Sequence, residues 1–214
     1  MEINNGYKVV LLGESGVGKT CIIEQFISGK YDDNTIATLT AQFYRKTFEF
    51  PGDKNITLDI WDTAGQEKFR ALTRIFYKNA KAVILVYDIT YNHSFNEIKH
   101  YWYEQIKQHC ASDVIIAIAE NKCDLYEKRD ISEEEGEEFA KSIGAFFAST
   151  SAKNDSGITN LFENIAKKIL EPDFDFYDEE QKIKDEYKKK KKKDNPRNLI
   201  KLNSKINKKK KKCC

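Results

Sequence analysis

The stretch that decides the fold is GESGVGKT, which runs Gly13, Glu14, Ser15, Gly16, Val17, Gly18, Lys19, Thr20 and follows the apolar run YKVVLL. Three glycines in eight residues disfavour helix and strand alike, yet they stand between two segments that read as regular structure. The pattern fits G-x-x-x-x-G-K-[ST], which requires a strand before it and a helix after it. In that setting glycines let backbone N–H groups turn inward around phosphate oxygens, and the helix N-terminus faces the same anion. Lys19 is placed to reach the terminal phosphates and Thr20 to ligate magnesium, with Cys21 next along the helix. A flexible strand-to-helix turn that happens to end in Lys-Thr is the competing reading.

Outward from this loop, short apolar runs alternate with helical patterns. Strands are predicted at Tyr7–Leu12, Gln42–Phe50, Ile56–Trp61, Ala82–Tyr87, Val114–Ala119 and Phe146–Ser149. Helices are predicted near Lys19–Ser28, Ser94–His109, Ser132–Ile143 and Ile158–Leu170. Continuous apolar strands alternating with helices imply an α/β fold, a mainly parallel sheet covered on both faces. The PGDK turn, Pro51 to Lys54, joins two runs as a hairpin, so one edge strand is expected to be antiparallel.

The chain has 214 residues and a formal charge of only +2, but that charge is unevenly spread. From Lys188 to Cys214 there are fourteen Lys or Arg against one acid, Asp194, which leaves a net −11 on the residues before them. Glu171-Pro172 breaks the last helical pattern, and the lysine-rich run beyond cannot bury enough apolar surface to fold alone. A folded domain is therefore expected over residues 1–170, with a disordered tail over 171–214. The five cysteines, Cys21, Cys110, Cys123, Cys213 and Cys214, are odd in number and widely spaced, as suits a reducing, intracellular setting. The longest apolar run, AVILVYDI, is far short of the ~20 residues of a membrane span.

Three further motifs follow in order. WDTAGQE offers Asp62 as a carboxylate for magnesium, Gly65 as a close backbone N–H for a terminal phosphate, and Gln66 to orient an attacking water. Alone, Asp-x-x-Gly is more often a turn. NKCD places Asn121, Lys122 and Asp124 after an apolar run. The carboxylate of Asp124 can accept the adjacent N1–H and amine of guanine, a donor pair that adenine lacks. Asn121 can reach the acceptor edge of the base, and Lys122 can lie across the sugar. Four such residues alone could equally be a surface turn. In SAK, Ser151, Ala152 and Lys153, a backbone N–H can meet the guanine oxygen.

These motifs, with ILVYDIT and the terminal Cys213-Cys214, make the chain resemble a Ras-superfamily small GTPase of the Rab family over about residues 6 to 170. The resemblance implies the P-loop NTPase G-domain fold, with a six-stranded sheet, five helices and two switch loops beside the γ-phosphate. It also implies slow GTP hydrolysis with magnesium as cofactor, and cycling between GDP- and GTP-bound states to regulate vesicle traffic. Exchange factor, activating protein, effectors, and the escort and dissociation-inhibitor proteins of prenylation are the partners it implies. By Rab spacing the magnesium-binding switch threonine is Thr38, eighteen residues after Thr20, rather than Thr35. Tyr31 then takes the place of the aromatic beside the guanine, though an ordinary loop aromatic is the alternative. Phe43, Trp61 and Phe76 match the effector-facing aromatic trio, against plain packing as the other reading. Thr40 and Asn79 stand where the family commonly has glycine.

KKKKKCC resembles the double-cysteine signal for geranylgeranylation, which implies a lipidated Cys213 and Cys214. Two lipid chains anchor stably, and nearby lysines add attraction to an anionic cytoplasmic leaflet. A nucleic-acid or nuclear-targeting tail is the competing reading; joined to this domain, the cysteine pair favours the cytoplasmic face of intracellular membranes, in exchange with cytosol. The segments ATLTAQF and NEIKHYWYEQIK look closer to endocytic Rabs than to secretory ones. A membrane-anchored, GTP-holding scaffold with little hydrolysis is the alternative function, and an ATP-using kinase is disfavoured by NKCD.

Overall fold

The computed structural model describes residues 6–65 and 70–177. Strands β1 (Tyr7–Leu12), β2 (Gln42–Phe50), β3 (Lys54–Asp62), β4 (Ala82–Asp88), β5 (Ile115–Asn121) and β6 (Phe146–Ser149) form one sheet in the order β2-β3-β1-β4-β5-β6. β2 pairs antiparallel with β3, and the other neighbours are parallel. Gly52 and Asp53, both with positive φ, close the β2–β3 hairpin. The pairing of Phe50 with Lys54 carries β3 two residues beyond its apolar part.

Among the described residues, five helices flank the sheet. α1 (Lys19–Ser28) starts at Gly18 and ends at the left-handed Gly29, whose N–H donates to Gln25 O. α2 (Arg70–Tyr77) follows the third strand. α3, residues 92–109, is one helix whose α-helical ends, Asn92–Glu97 and Tyr103–His109, enclose a π-helical turn at Ile98–Trp102. α4 (Glu133–Ser142) is capped by Ser132, whose Oγ accepts from Glu135 N at 3.1 Å. α5 (Ile158–Leu170) closes the series. A 3-10 helix at Cys123–Lys128 was not expected from the periodicity.

Alternation along the central strands divides the core in two, because successive strand side chains face opposite ways. Val9, Leu11, Ile84 and Val86 pack with Ile22, Phe162 and Ile165 on the α1/α5 face. Val10, Leu12, Val83 and Leu85 pack with Phe95, Trp102 and Ile106 on the α3/α4 face. Parallel strands buried on both faces are thus largely apolar, and their C-terminal ends carry the loops Gly13–Gly18, Thr63–Gly65 and Asn121–Asp124 to one edge. Asn79 has φ 60, the left-handed conformation that asparagine tolerates better than most residues.

Packing continues past Leu170, where the tail was expected to begin. Phe176 is buried, its ring 4.8 Å from that of Phe146, and Tyr177 OH donates to Ala145 O at 2.6 Å. Lys168 Nζ donates to Phe174 O. Three aromatics in seven residues supply the apolar surface that the lysine run lacks, so this part of the disorder expectation is corrected. The rest of the tail, Cys213 and Cys214 included, lies outside the described residues.

Candidate nucleotide and cation site

At the C-terminal edge of the sheet the glycine loop turns back on itself around Lys19, which is buried although charged. Its Nζ donates to Gly13 O and Glu14 O, both at 2.8 Å. Burial pulls its pKa down to about 8, against the opposing pull of Asp62 and Glu14. The ammonium is thereby fixed at the mouth of the loop, and Gly65 makes room for it. Gly65 lies so close that a Cβ there would stand 2.5 Å from both Lys19 Nζ and Glu14 O. Gly18 has φ 95, and a Cβ on it would run into Asn121 Nδ2.

Beside the ammonium three oxygen-bearing side chains converge from three elements. Thr20, at the start of α1, donates its hydroxyl to Asp62 Oδ2 at 2.7 Å, and Thr38 Oγ1 stands 2.6 Å from Thr20 Oγ1 and 3.3 Å from the same carboxylate oxygen. Asp62 is fully buried, its pKa raised by that burial against the two hydroxyls and Lys19, and its Oδ1 has no hydrogen-bond partner. A buried carboxylate with one unsatisfied oxygen, flanked by two hydroxyls, is a hard, all-oxygen donor set of the kind magnesium prefers. These residues fit the ion, and the spacing argument for Thr38 agrees with the geometry. Thr35 instead donates to Asp32 O, although it also lines the cleft.

Two clefts meet here. One, about 150 Å³, lies between the loop, Thr38 and Gly65; the other, about 340 Å³, lies between Tyr31, Asn121, Asp124 and Lys153. They share Gly16, Gly18, Cys21 and Thr35 as walls, so phosphate-sized and base-sized spaces are continuous. Ser15 lines the first cleft, and Lys122 and Ala152 line the second.

On the base side, Asp124 accepts from Ser151 Oγ at 2.5 Å, which fixes the carboxylate's orientation. Lys122 takes the left-handed φ of 64 and pairs with Asp88 Oδ2 at 2.6 Å, so its amine is tied to the end of β4. Asn121 lines the same cleft; its Nδ2 donates to Val17 O at 2.8 Å and its Oδ1 accepts from Thr150 Oγ1 at 3.3 Å, tying the glycine loop to the base loop. Val17 itself is buried in the core and contributes that carbonyl. Tyr31 forms an exposed wall, its hydroxyl donating to Asp33 at 2.8 Å, and Lys153 reaches the same Asp33 at 4.0 Å.

The aromatic trio is contiguous: Phe43 to Trp61 is 5.2 Å between ring centroids, and Trp61 to Phe76 is 5.6 Å. Trp61 and Phe76 pack against the α3/α4 face of the core while Phe43 stays exposed. Gln66 lies outside the described residues. Thr63, buried with its hydroxyl on Leu11 O at 2.6 Å, and Asp88 were missed as supporting residues; each lies inside a quoted motif, WDTAGQE or ILVYDIT, and that position was the signal.

The model of the Ras family matches residues 8–171. The chain is 42% identical to human Ras-related protein Rab-22A over 166 residues, which is 78% of this chain and 84% of that protein. It is 43% identical to human Ras-related protein Rab-8B over 164 residues, 77% and 78% of the two chains, and 42% identical to bovine Rab-8A over 163 residues, 76% and 78%.

Proposed function

Because the chain belongs to the Ras family, in its Rab branch, and is a small GTPase of membrane traffic, we propose that Lys19, Thr20, Thr38, Asp62 and Asp124 hold a magnesium-bound guanine nucleotide whose γ-phosphate sets the state of both switch loops. The observation that carries this is the convergence of two hydroxyls and a half-satisfied buried carboxylate beside a buried ammonium. Bound at these oxygens, magnesium supplies positive charge to the β- and γ-phosphates. Lys19 adds a fixed charge to the same oxygens, and the loop amides add dipoles that need no reorganisation during reaction.

Hydrolysis consumes GTP and one water and releases GDP and phosphate. Gln66 and the Thr38 backbone align the water for in-line attack. When the phosphate leaves, Thr38 and Gly65 lose the contacts that hold their loops, and the loops relax. An activating protein's arginine supplies further positive charge at the leaving group, worth ~10³–10⁵-fold in rate. The Phe43–Trp61–Phe76 surface is the region effectors read. Geranylgeranyl chains on Cys213 and Cys214 hold the protein on the cytoplasmic face of intracellular membranes. Resemblance in ATLTAQF and NEIKHYWYEQIK supports an endosomal membrane, and tagged protein imaged with early-endosome and Golgi markers tests it.

The decisive experiment is nucleotide content and single-turnover hydrolysis of purified protein in excess magnesium. Wild type is expected to co-purify with GDP or GTP and to hydrolyse GTP; Gln66→Leu is expected to slow hydrolysis by about 10²-fold, in the range for a positioned proton-handling group, with nucleotide affinity nearly kept. Equal turnover in the two proteins refutes the role of Gln66, and absence of bound guanine nucleotide refutes the whole reading.

A further inference from the structure

The guanine-reading loop is closed at its base by an ion pair between a buried carboxylate and a half-buried guanidinium. Glu120, fully buried on β5, stands immediately before Asn121, and Arg129 stands immediately after the 3-10 helix that ends the loop. The guanidinium grips the carboxylate with two fingers, Nη1 donating to Oε2 at 2.7 Å and Nη2 to Oε1 at 3.0 Å. Nη1 also donates to Ile131 O at 3.1 Å, and Tyr87 OH donates to Glu120 Oε2 at 3.2 Å. Residues 121–128, and with them Asn121, Lys122 and Asp124, lie between the two ends of this clasp.

The backbone of Glu120 faces the other way. Its carbonyl accepts from both Thr150 N at 2.8 Å and Thr150 Oγ1 at 3.0 Å. One residue therefore joins three things: the far end of its own loop through the side chain, β4 through Tyr87, and the Ser151–Lys153 loop through the main chain. Between the clasped ends the backbone is irregular, with Lys122 at φ 64 and Leu125 at φ −91, ψ 35, so the loop has no continuous helix or strand to hold its shape. Burying the Glu120 carboxylate is a costly way to achieve mere packing, since apolar side chains of similar volume are often as stable as a desolvated charge pair or more so. What a bidentate pair supplies in addition is fixed geometry.

We propose that Glu120 and Arg129, with Tyr87, are positioning residues that set how long a guanine nucleotide stays bound, by holding the loop that carries Asp124 in its binding shape. The proposal rests on the guanine-nucleotide reading above. Closing the loop in advance removes ordering that binding would otherwise have to supply, and that saving appears as slower release. Neither residue touches the nucleotide; both act through Asn121 and Asp124. Guanine and hypoxanthine differ by the exocyclic amine that Asp124 accepts, so a loosened Asp124 also discriminates them less.

The test is release of ribose-labelled GDP and IDP from full-length protein in excess magnesium, alongside thermal unfolding. Variants are Arg129→Lys, Arg129→Met and the charge-neutral pair Glu120→Leu/Arg129→Met, which leaves no buried charge unpaired. The neutral pair is expected to unfold within a few degrees of wild type, to release GDP about tenfold faster, a modest change of roughly 1.4 kcal/mol, and to show a smaller GDP-to-IDP difference. Arg129→Lys, which keeps the charge and loses the fork, is expected to fall between. Unchanged GDP release in a folded neutral pair overturns the proposal, and so does loss of the fold in both Arg129→Met and the neutral pair, which makes the clasp structural only. Wild type that holds no GDP fails the underlying reading itself, a result visible before any variant is compared.

Discussion

Two single atoms illustrate how local constraint becomes chemistry. A methyl group on residue 18 would meet both a φ of 95 and the amide of Asn121, and a left-handed non-glycine residue costs roughly 1–2 kcal/mol before any clash. Gly18→Ala is therefore expected to weaken GDP binding by at least about tenfold, the equivalent of 1.4 kcal/mol, as read by equilibrium titration. Asp124 is the complementary case. Asp124→Asn replaces an acceptor with a donor, so preference is expected to move from guanine towards xanthine, whose carbonyl needs a donor there; unchanged GDP-to-XDP selectivity counts against the assignment. That Lys19, Thr20, Asp62 and Asp124 would gather at one edge of the sheet was legible in the sequence, because each lies in a local motif that ends a strand or begins a helix. Asn121 was only half so, because its tie to Val17 O spans 104 positions and depends on how two loops are brought together.

At the scale of elements, the strongly periodic pieces were read closely. β1, β2, β6, α1 and α5 coincide with the expected spans because apolar spacing, Gly18 and Pro172 mark their limits. The π-turn inside α3, the 3-10 helix after NKCD and α2 were not foreseen. A π-turn adds one residue to a turn without changing the polarity pattern that reveals a helix, and the 3-10 segment is held by contacts to Thr150 and Glu120 that no local pattern encodes. The joint between α1 and α5 rests on Phe26 and Phe162, stacked at 4.1 Å with Phe162 fully buried. Phe162→Ala is expected to cost about 3–5 kcal/mol and to lower the melting temperature by on the order of 10 °C. A shift of under two degrees would show that the joint does not depend on that ring.

For the whole molecule, the boundary of the folded unit is the point where sequence reading fell short. Composition separates the lysine run from the domain but does not show that PDFDFY folds back, because the surface it packs on, Ala145 and Phe146, is assembled by the tertiary fold. Chains ending at Leu170 and at Tyr177 test its weight. With one buried Phe worth roughly 1.5–3 kcal/mol, the shorter chain is expected to melt about 5 °C lower; equal melting temperatures would mean the segment only rests on the surface.

That fold-back also gives the molecule a direction. Ala145 and Phe146 lie where β6 begins, whereas Gly13, Asp62 and Asn121 lie where their strands finish, so the chain departs at Tyr177 from one pole, and the loops we propose to sense phosphate lie at the other. Strands of this length separate the two poles by about 20 Å. A leash fastened downstream of Tyr177 therefore pulls on the blunt end of the body, leaving the sensing end to point away from whatever the leash is tied to.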